Sequence, residues 1–473
     1  MRNYLQFYIN GEWVEPEVAR VADVINPATE AVSGKISLGS SADVDRAVAA
    51  AKRAFESWSQ TSVPVRLEIL KRIQEEYNRR AADLGAAVTE EMGAPAELGN
   101  GFHTMLGGGH LQTAIEVLEN FQFEELRGQT LVVKEPIGVC GLITPWNWPL
   151  NQVAVKVFPA LAAGCTVVLK PPQLAPYSAQ ILAEIIDASG LPAGVFNMVQ
   201  GRGSEIGTAM SEHPDIDMIS FTGSEPVGVE IARNAATTVK RVCQELGGKS
   251  AYIVLDDASL ETHVANATAS MMTNSGQTCS AGSRLLVPQA RLADAIAAAK
   301  VAAASVTVGD PNSGVAMGPV VSKSQFNVVQ EYIQSGIDGG AELIAGGIGR
   351  PEGLETGYYV KPTVFVTDNS ARIAREEIFG PVLCIIPYRD LDDAVSIAND
   401  TNFGLAGYVD GEDLSVCQAV ARRMRTGAVY INGGFDFHAA FGGYKRSGNG
   451  REWGEAGFEE YLEIKSLLGF ESV

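Results

Sequence analysis

The sequence predicts an α/β protein with mainly parallel sheets, and three observations carry that expectation. From Pro136 onward, continuous apolar runs at Val139–Thr144, Thr166–Leu169, Val195–Val199 and Met218–Phe221 alternate with helical stretches such as Ser178–Ala188 and Glu205–Met210. A second alternating set runs from Ser250 to about Gly427. Strands that are apolar on both faces need helices on both faces, which is the arrangement of a buried parallel sheet. The third observation is length: 473 residues suffice for two or three domains with large cores, and no floppy linker, low-complexity stretch or obvious repeat interrupts them.

The elements follow in order. Phe7-Tyr8-Ile9-Asn10-Gly11-Glu12-Trp13-Val14 predicts a hairpin, because Asn-Gly between apolar runs supplies the positive φ angles of a type I′ turn. Ser40-Ser41-Ala42-Asp43 has the pattern of a capping box, and Val44, Val48, Ala51 and Phe55 follow at helical spacing. A second helix is expected from near Pro64, suited to a first helical turn, to about Arg80. Helical segments continue to Asn120, with breaks expected at Gly93-Ala94-Pro95 and Gly107-Gly108-Gly109. Within them Phe102, His103 and Met105 read either as core and surface or as the lining of a channel. Phe121–Arg127 and Gln129–Glu135 alternate apolar and polar on either side of Gly128 and predict a second hairpin, suited to another subunit or to covering its own domain. Tyr461–Leu467 reads as a strand able to pair with that hairpin.

Composition excludes several functions. The formal charge of −20, from 56 acids against 36 bases, argues against a nucleic-acid backbone or an anionic membrane as main partner. The six cysteines are scattered without a C-x-x-C pair and the five histidines lack ligand spacing, so neither a metal site nor a disulfide scaffold is expected and a reducing cytoplasm fits. Met1–Phe7 has neither a long apolar core nor a cleavage site, so no signal peptide is expected. The longest apolar region, Val153–Leu169, is interrupted by Lys156 and Pro159 and is too short to span a bilayer.

Five stretches are candidates for chemistry. In Asn274-Ser275-Gly276-Gln277-Thr278-Cys279-Ser280-Ala281-Gly282-Ser283-Arg284 a thiol sits among small and polar residues that let ligands approach the sulfur. Such a cysteine reads as a nucleophile or as a small structural hydrophobe. Thr144-Pro145-Trp146-Asn147-Trp148-Pro149 fixes one asparagine between two prolines and two tryptophans, which suits either an oxyanion donor or a turn residue bonded to its own backbone. Glu245-Leu246-Gly247-Gly248-Lys249-Ser250 sets a carboxylate beside a glycine pair, as a general base or as a solvated acid at a helix end. Two strand–loop–helix units could hold a pyrophosphate. Val199-Gln200-Gly201-Arg202-Gly203-Ser204-Glu205-Ile206-Gly207 resembles a dinucleotide fingerprint with one extra residue before its last glycine. Phe221-Thr222-Gly223-Ser224 ahead of a helix over Glu225–Ala236 offers backbone N–H groups and a hydroxyl, or is an ordinary serine cap.

These pieces, with Lys170-Pro171, Glu376-Glu377-Ile378-Phe379-Gly380-Pro381-Val382 and Phe441-Gly442-Gly443-Tyr444-Lys445, occur in an order that resembles the NAD(P)-dependent aldehyde dehydrogenase superfamily, of bacterial, hydrolytic type, over nearly the whole chain. The resemblance implies that Cys279 attacks the aldehyde as thiolate, that Asn147 and the Cys279 N–H hold the oxyanion, and that Glu245 activates the water that hydrolyses a thioester. It also implies a cofactor site drawn from Thr144, Pro145, Trp146, Lys170, Gln173, Gly203, Gly207, Phe221, Gly223, Ser224, Leu246, Gly247, Glu377 and Phe379. Lys170 would contact the adenosine ribose, Trp146 and Ser224 would lie near the pyrophosphate, and Glu377 and Phe379 near the nicotinamide ribose. Trp148, Asn151, Gln152, Thr278, Ser280, Phe435, Phe437 and His438 fall where related enzymes line the aldehyde tunnel, which suits an aromatic or medium-length aldehyde.

Two details refine the expectation. Gln173 stands where many NAD-preferring relatives carry an acid, so NADP is left open beside NAD. The acid at Glu245 favours hydrolysis over CoA acylation, and the intact Cys279, Asn147 and Glu245 set argues against a non-catalytic binding protein. The expected fold has a doubly wound cofactor domain over 1–118 and 137–246, and a second α/β domain over 247–445 carrying Cys279. A β arm from 119–136 and 446–473 would join subunits into a homodimer or homotetramer.

Overall fold

The computed structural model describes residues 1–470; the last three residues of the expected arm lie outside the described residues. Two large sheets organise the chain. Across the first, the strands run in the order Gly448–Asn449, Arg241–Glu245, Met218–Thr222, Val139–Ile143, Thr166–Lys170, Phe196–Met198, Phe7–Ile9 and Glu12–Val14. The strands from Arg241–Glu245 through Phe196–Met198 are mutually parallel. The chain enters at Val139–Ile143, winds outward to Phe196–Met198, and returns on the other side at Met218–Thr222. That reversal makes the sheet doubly wound, and ligands of such sheets bind beyond the carboxyl ends of the two strands flanking it. Here those ends are Thr144 and Gly223.

Both faces are covered, as continuous apolar strands require. Cys140 and Leu142 join one core and Val139 and Ile143 another. Between Thr166 and Lys170, Val167 and Leu169 face the first and Val168 the second. The helix Pro149–Ala163 is buried at every position, which matches its all-round apolar sequence. Each fully buried Val, Leu or Phe in these layers contributes roughly 1.5–3 kcal/mol.

The second sheet orders Glu342–Ala345, Thr363–Val366, Val382–Tyr388, Arg284–Pro288, Ala251–Val254, Ala406–Asp410 and Ala428–Ile431, and all but the first of these are parallel. The loops carrying Gly247–Ser250, Cys279 and Glu377–Phe379 lead directly into the amino ends of Ala251–Val254, Arg284–Pro288 and Val382–Tyr388.

Short signals held where they were local. Asn10 and Gly11 adopt φ 57° and 78° in the first hairpin. Asp43 accepts the Ser40 N–H at 2.9 Å at the start of the helix Ser41–Trp58. Leu462–Leu468 pairs antiparallel with Thr130–Pro136, which pairs with Glu124–Arg127, so the expected three-stranded arm forms.

Four features differ from the sequence expectation. Gly107-Gly108-Gly109 does not break a helix: Thr104–Asn120 runs through it. These glycines serve close approach instead, since a Cβ at Gly107 would lie 2.3 Å from the Tyr77 hydroxyl and one at Gly109 2.2 Å from the Phe437 ring. The interruption falls earlier, as a π turn over Gly99–His103. The extra residue in the glycine loop after Phe196–Met198 is likewise absorbed by a π turn, Gly203–Gly207, ahead of the short helix Thr208–Glu212, so this loop is no ordinary dinucleotide fingerprint. The segment 446–461, expected in the arm, instead adds Gly448–Asn449 to the edge of the first sheet and packs helix Gly454–Glu459 on Thr104–Asn120 and Pro149–Ala163. Finally, Arg2–Tyr4, Val32–Ser37 and Val21–Ile25 form a small separate sheet with no signal in the sequence.

Candidate active site

The cysteine loop is held in a strained turn. Asn274 and Ser275 both take left-handed backbone angles, φ 53° and 57°, which cost energy for residues with a Cβ. Side-chain bonds hold the strain. Ser275 Oγ donates to Gly318 O at 2.8 Å, Gln277 Nε2 to Asn274 O at 3.0 Å, and Val321 N–H to Gln277 Oε1 at 2.9 Å. Cys279 emerges half-buried, whereas the other five cysteines are buried.

The asparagine loop from the first sheet is tied to this turn. Asn147 Nδ2 donates to Gln277 O at 3.2 Å, Asn274 Nδ2 to Asn147 O at 2.8 Å, and Trp148 Nε1–H to Thr278 Oγ1 at 3.0 Å. The Trp148 ring stacks on buried His103, with centroids 4.3 Å apart. Asn147 is itself buried. The two loops therefore bring Asn147 and Cys279 together across 132 residues of sequence (279 − 147).

Glu245 ends the strand Arg241–Glu245 and is no solvated helix-end residue. Its carboxyl is 2% exposed and neither oxygen has a hydrogen-bond partner. Burial, then the negative charge of Glu452, raises its pKa well above the ordinary carboxyl value, against the pull of Lys156. Burial, then the charges of Glu377 and Glu245, pushes the Cys279 thiol up to about 12, while the Ser280 N–H acts in the opposite direction. The charges of Glu245 and Glu377 thus both bear on the sulfur.

The crevice at the sheet's reversal is suited to a dinucleotide. Ser224 caps helix Glu225–Ala235 without bonding into it, and Pro226 stands in the first turn, leaving N–H groups and a hydroxyl for an anion. The hydroxyls of Thr144 and Thr222 are buried without partners. Lys170 ends its strand in the core, its Nζ bonded only to Pro171 O at 2.9 Å, and burial lowers its pKa to about 8. Trp146 and Phe379 meet edge to face at 5.4 Å. Glu377 Oε1 accepts the Gly248 N–H at 2.9 Å, and its other oxygen lies over Gly247, where a Cβ would come within 2.1 Å. Burial raises the Glu377 pKa to about 7. Unpartnered donors on one side and a carboxylate on the other are what a pyrophosphate and ribose hydroxyls require, so these residues fit the group.

The remaining expected residues divide. Phe221 packs beneath Gly223, and Leu246 packs against Gly228 of the following helix, so both shape the crevice from its apolar side. Pro145 and Gln173 are half-buried near its rim. Gly203 and Gly207 lie in the π turn described above. Gln152 is buried with its Oε1 unpartnered. Phe102, Trp148, Phe435, Phe437 and Trp453 form a chain of rings with centroids 5.0–6.3 Å apart. His438 turns away to the surface, its Nε2 2.9 Å from Glu116 Oε2, because an exposed carboxylate on helix Thr104–Asn120 is its nearest partner. His103, read from the sequence as core, surface or channel lining, lies buried behind Trp148. Asn274, Gln277 and Trp453 had no site role in that reading; of these only the asparagine carried a signal, as a residue that tolerates a left-handed turn.

The model of the aldehyde dehydrogenase family matches residues 13–467. The chain belongs to the aldehyde dehydrogenase family. It is 53% identical to the 3-succinoylsemialdehyde-pyridine dehydrogenase of a Pseudomonas species, over the whole of both chains. Among solved structures, it superposes with a TM-score of 0.98 on a cysteine-to-alanine mutant of aldehyde dehydrogenase C from Pseudomonas syringae, complexed with NAD+ and octanal. That pair is 50% identical over 99% of this chain and 97% of the other. The aldehyde dehydrogenase of Bartonella henselae gives 0.97, at 46% identity over 99% and 100%. This aldehyde dehydrogenase is therefore an NAD(P)-dependent enzyme that oxidises an aldehyde, on the α/β fold its sequence predicts.

Proposed function

We propose that this aldehyde dehydrogenase oxidises an aromatic or medium-chain aldehyde to its carboxylic acid through a covalent thioester on Cys279. The observation that carries the reading is the direct bonding of the Asn147 loop to the Cys279 loop, with Glu245 buried, unpartnered and electrostatically coupled to the thiol. In the reaction, Cys279 Sγ bonds to the carbonyl carbon, and the resulting oxyanion is held by Asn147 Nδ2 and the Cys279 N–H. The bound dinucleotide supplies the hydride acceptor. Loss of hydride from the tetrahedral carbon leaves a thioester. Glu245 then takes a proton from water, the water oxygen attacks the thioester carbon, and the Cys279 thiolate leaves.

Thr144, Pro145, Trp146, Ser224 and Gly223 lie where they would cradle the pyrophosphate, Lys170 and Gln173 where they would meet the adenosine ribose, and Glu377 with Phe379, Leu246 and Gly247 where they would grip the second ribose. Residues 1–118 and 137–246 would then bind cofactor and 247–445 carry the nucleophile. Exposed Ile464, Leu468 and Phe470 on the arm support its role in joining subunits into a dimer or tetramer. Six free cysteines suit a reducing cytoplasm, and no helix of the described residues is long and apolar enough to cross a membrane.

The ring chain from Phe102 to Trp453 supports the aromatic or medium-chain substrate, as do a relative named for a pyridine-bearing semialdehyde and a neighbour holding octanal. Turnover across a panel of aliphatic and aromatic aldehydes, read as reduced-nicotinamide absorbance, tests it. A preference for short polar aldehydes overturns it.

The pH dependence has a definite sign. A carboxyl held above its ordinary pKa is neutral below that pKa and becomes a competent base only as pH rises through it. The raised Cys279 thiol gains thiolate in the same direction. Turnover should therefore climb as pH rises above neutrality. A flat or falling profile contradicts this.

Gln173 carries no charge to repel a 2′-phosphate. We expect Gln173→Glu to lower kcat/KM with NADP by roughly 10–100-fold, the cost of an added like charge, and to leave NAD nearly unchanged. Strict exclusion of NADP by the parent enzyme removes this reading.

A further inference from the structure

Beside the cysteine loop, three tyrosines stack across three parallel strands of the second sheet. Tyr252, Tyr408 and Tyr430 stand in register, each directly opposite the next. Their rings are stacked nearly parallel, with centroids 5.0 and 4.9 Å apart and interplanar angles of 7° and 14°. The far end is anchored: Tyr252 donates its hydroxyl to Asp410 Oδ2 at 2.6 Å, and His263 Nδ1 lies 3.5 Å from the same oxygen. The middle ring reaches the active site. Tyr408 donates its hydroxyl to Ser280 O at 3.0 Å. The loop lies flush on the stack, because a Cβ at Gly282 would come within 2.9 Å of the Tyr252 ring and 3.2 Å of the Tyr408 ring.

Ser280 is the residue after the nucleophile, and its N–H pulls the Cys279 thiol pKa down, against burial and the neighbouring acids. The Ser280 carbonyl is therefore the rear of a short segment whose front holds the thiol. We propose that Tyr408 is a positioning residue for the reaction: its hydroxyl holds Ser280, the ring stack braces Tyr408, and together they keep the Ser280 N–H aimed at the sulfur. The proposal rests on Cys279 being the nucleophile. Oriented backbone donors stabilise a thiolate, whereas a loop free to rotate loses that stabilisation without losing the fold. The charges that bear on Cys279 are those of Glu377, Glu245 and Glu452, and the thiol in turn bears on the hydroxyls of Tyr408 and Tyr430. All three acids oppose a thiolate, so the Ser280 N–H is the one contact among these that favours it.

The test compares the full-length parent with Tyr408→Phe, which keeps the ring and removes the hydroxyl. Tyr388→Phe is the control, since it removes a similar buried bond, Tyr388 hydroxyl to Val254 O at 2.8 Å, at the carboxyl end of its strand, opposite the end that meets the cysteine loop. Three quantities are read: the pH dependence of Cys279 alkylation by iodoacetamide, kcat and cofactor KM, and the melting temperature. For Tyr408→Phe, the alkylation midpoint should rise by about half a unit to one unit and kcat fall about tenfold, with cofactor KM held. Tyr388→Phe should shift neither. An unshifted alkylation profile in Tyr408→Phe overturns the proposal, as does an equal shift in the control. Cys279→Ala separates the two readings. If that variant still turns over, the nucleophile assignment has failed; if it is dead and Tyr408→Phe behaves as the parent, only the positioning role has.

Discussion

Cys279→Ala should cut aldehyde-dependent formation of reduced nicotinamide by about four orders of magnitude while cofactor still binds. The expectation follows from what an aldehyde lacks. Its carbonyl carbon does not give up hydride until a nucleophile has made it tetrahedral and its oxygen carries charge. Asn147 and the crevice can bind and orient, but neither supplies the bond that Sγ makes. Alanine leaves the turn over Thr273–Gly276 intact, because that turn is held by Asn274, Ser275 and Gln277 and not by the thiol. Binding, followed by quenching of tryptophan fluorescence, should therefore survive. Turnover within about tenfold of the parent enzyme would assign the chemistry to another group.

Glu245→Gln should separate the two halves of the reaction. Hydride transfer needs Cys279 and Asn147; hydrolysis needs a base. The variant should release a burst of about one reduced nicotinamide per site and then turn over roughly 10²–10⁴-fold more slowly than the parent, the usual worth of a positioned general base. A thioester on Cys279 should accumulate, visible as added mass on the peptide containing it. The substitution is mild for the fold. Glu245 is buried without a partner, and an amide of similar volume replaces a carboxyl whose charged form burial already disfavours. The melting temperature should stay close to that of the parent. Unchanged steady-state turnover would remove the base role. Loss of the burst together with turnover would move Glu245 to activation of the thiol.

Much of this was legible in the chain because it rests on local signals. Asn10-Gly11 sets a hairpin by backbone sterics alone, and Ser40 with Asp43 starts a helix by bonding within one turn. The continuous apolar strands imply a sheet covered on both faces, and the cores on either side of Val139–Ile143 bear this out. Cys279 stood out among small polar residues, Asn147 between two prolines and two tryptophans, and Glu245 beside a glycine pair, and the ordered resemblance to a family joined the three.

What misled was also physical. Glycine weakens a helix, so three in a row read as a break; packing of Tyr77 and Phe437 against bare backbone outweighed that propensity. A glycine-rich loop with one residue too many read as a weak fingerprint, and a π turn took up the surplus without opening an ordinary helix.

The sequence by itself determined the alternation of strands and helices and the hairpin arm, and marked the candidate reacting groups, since these depend on neighbours a few residues apart. Tertiary structure alone decided how far Glu245 is buried, that Glu452 and Lys156 bear on it, that His103 backs Trp148, that His438 turns to Glu116, and that three tyrosines line up behind Ser280. Each of those facts is a meeting of residues from separate strands or helices. Desolvation and charge act through space, so a group's pKa and its partners exist only once the chain has folded.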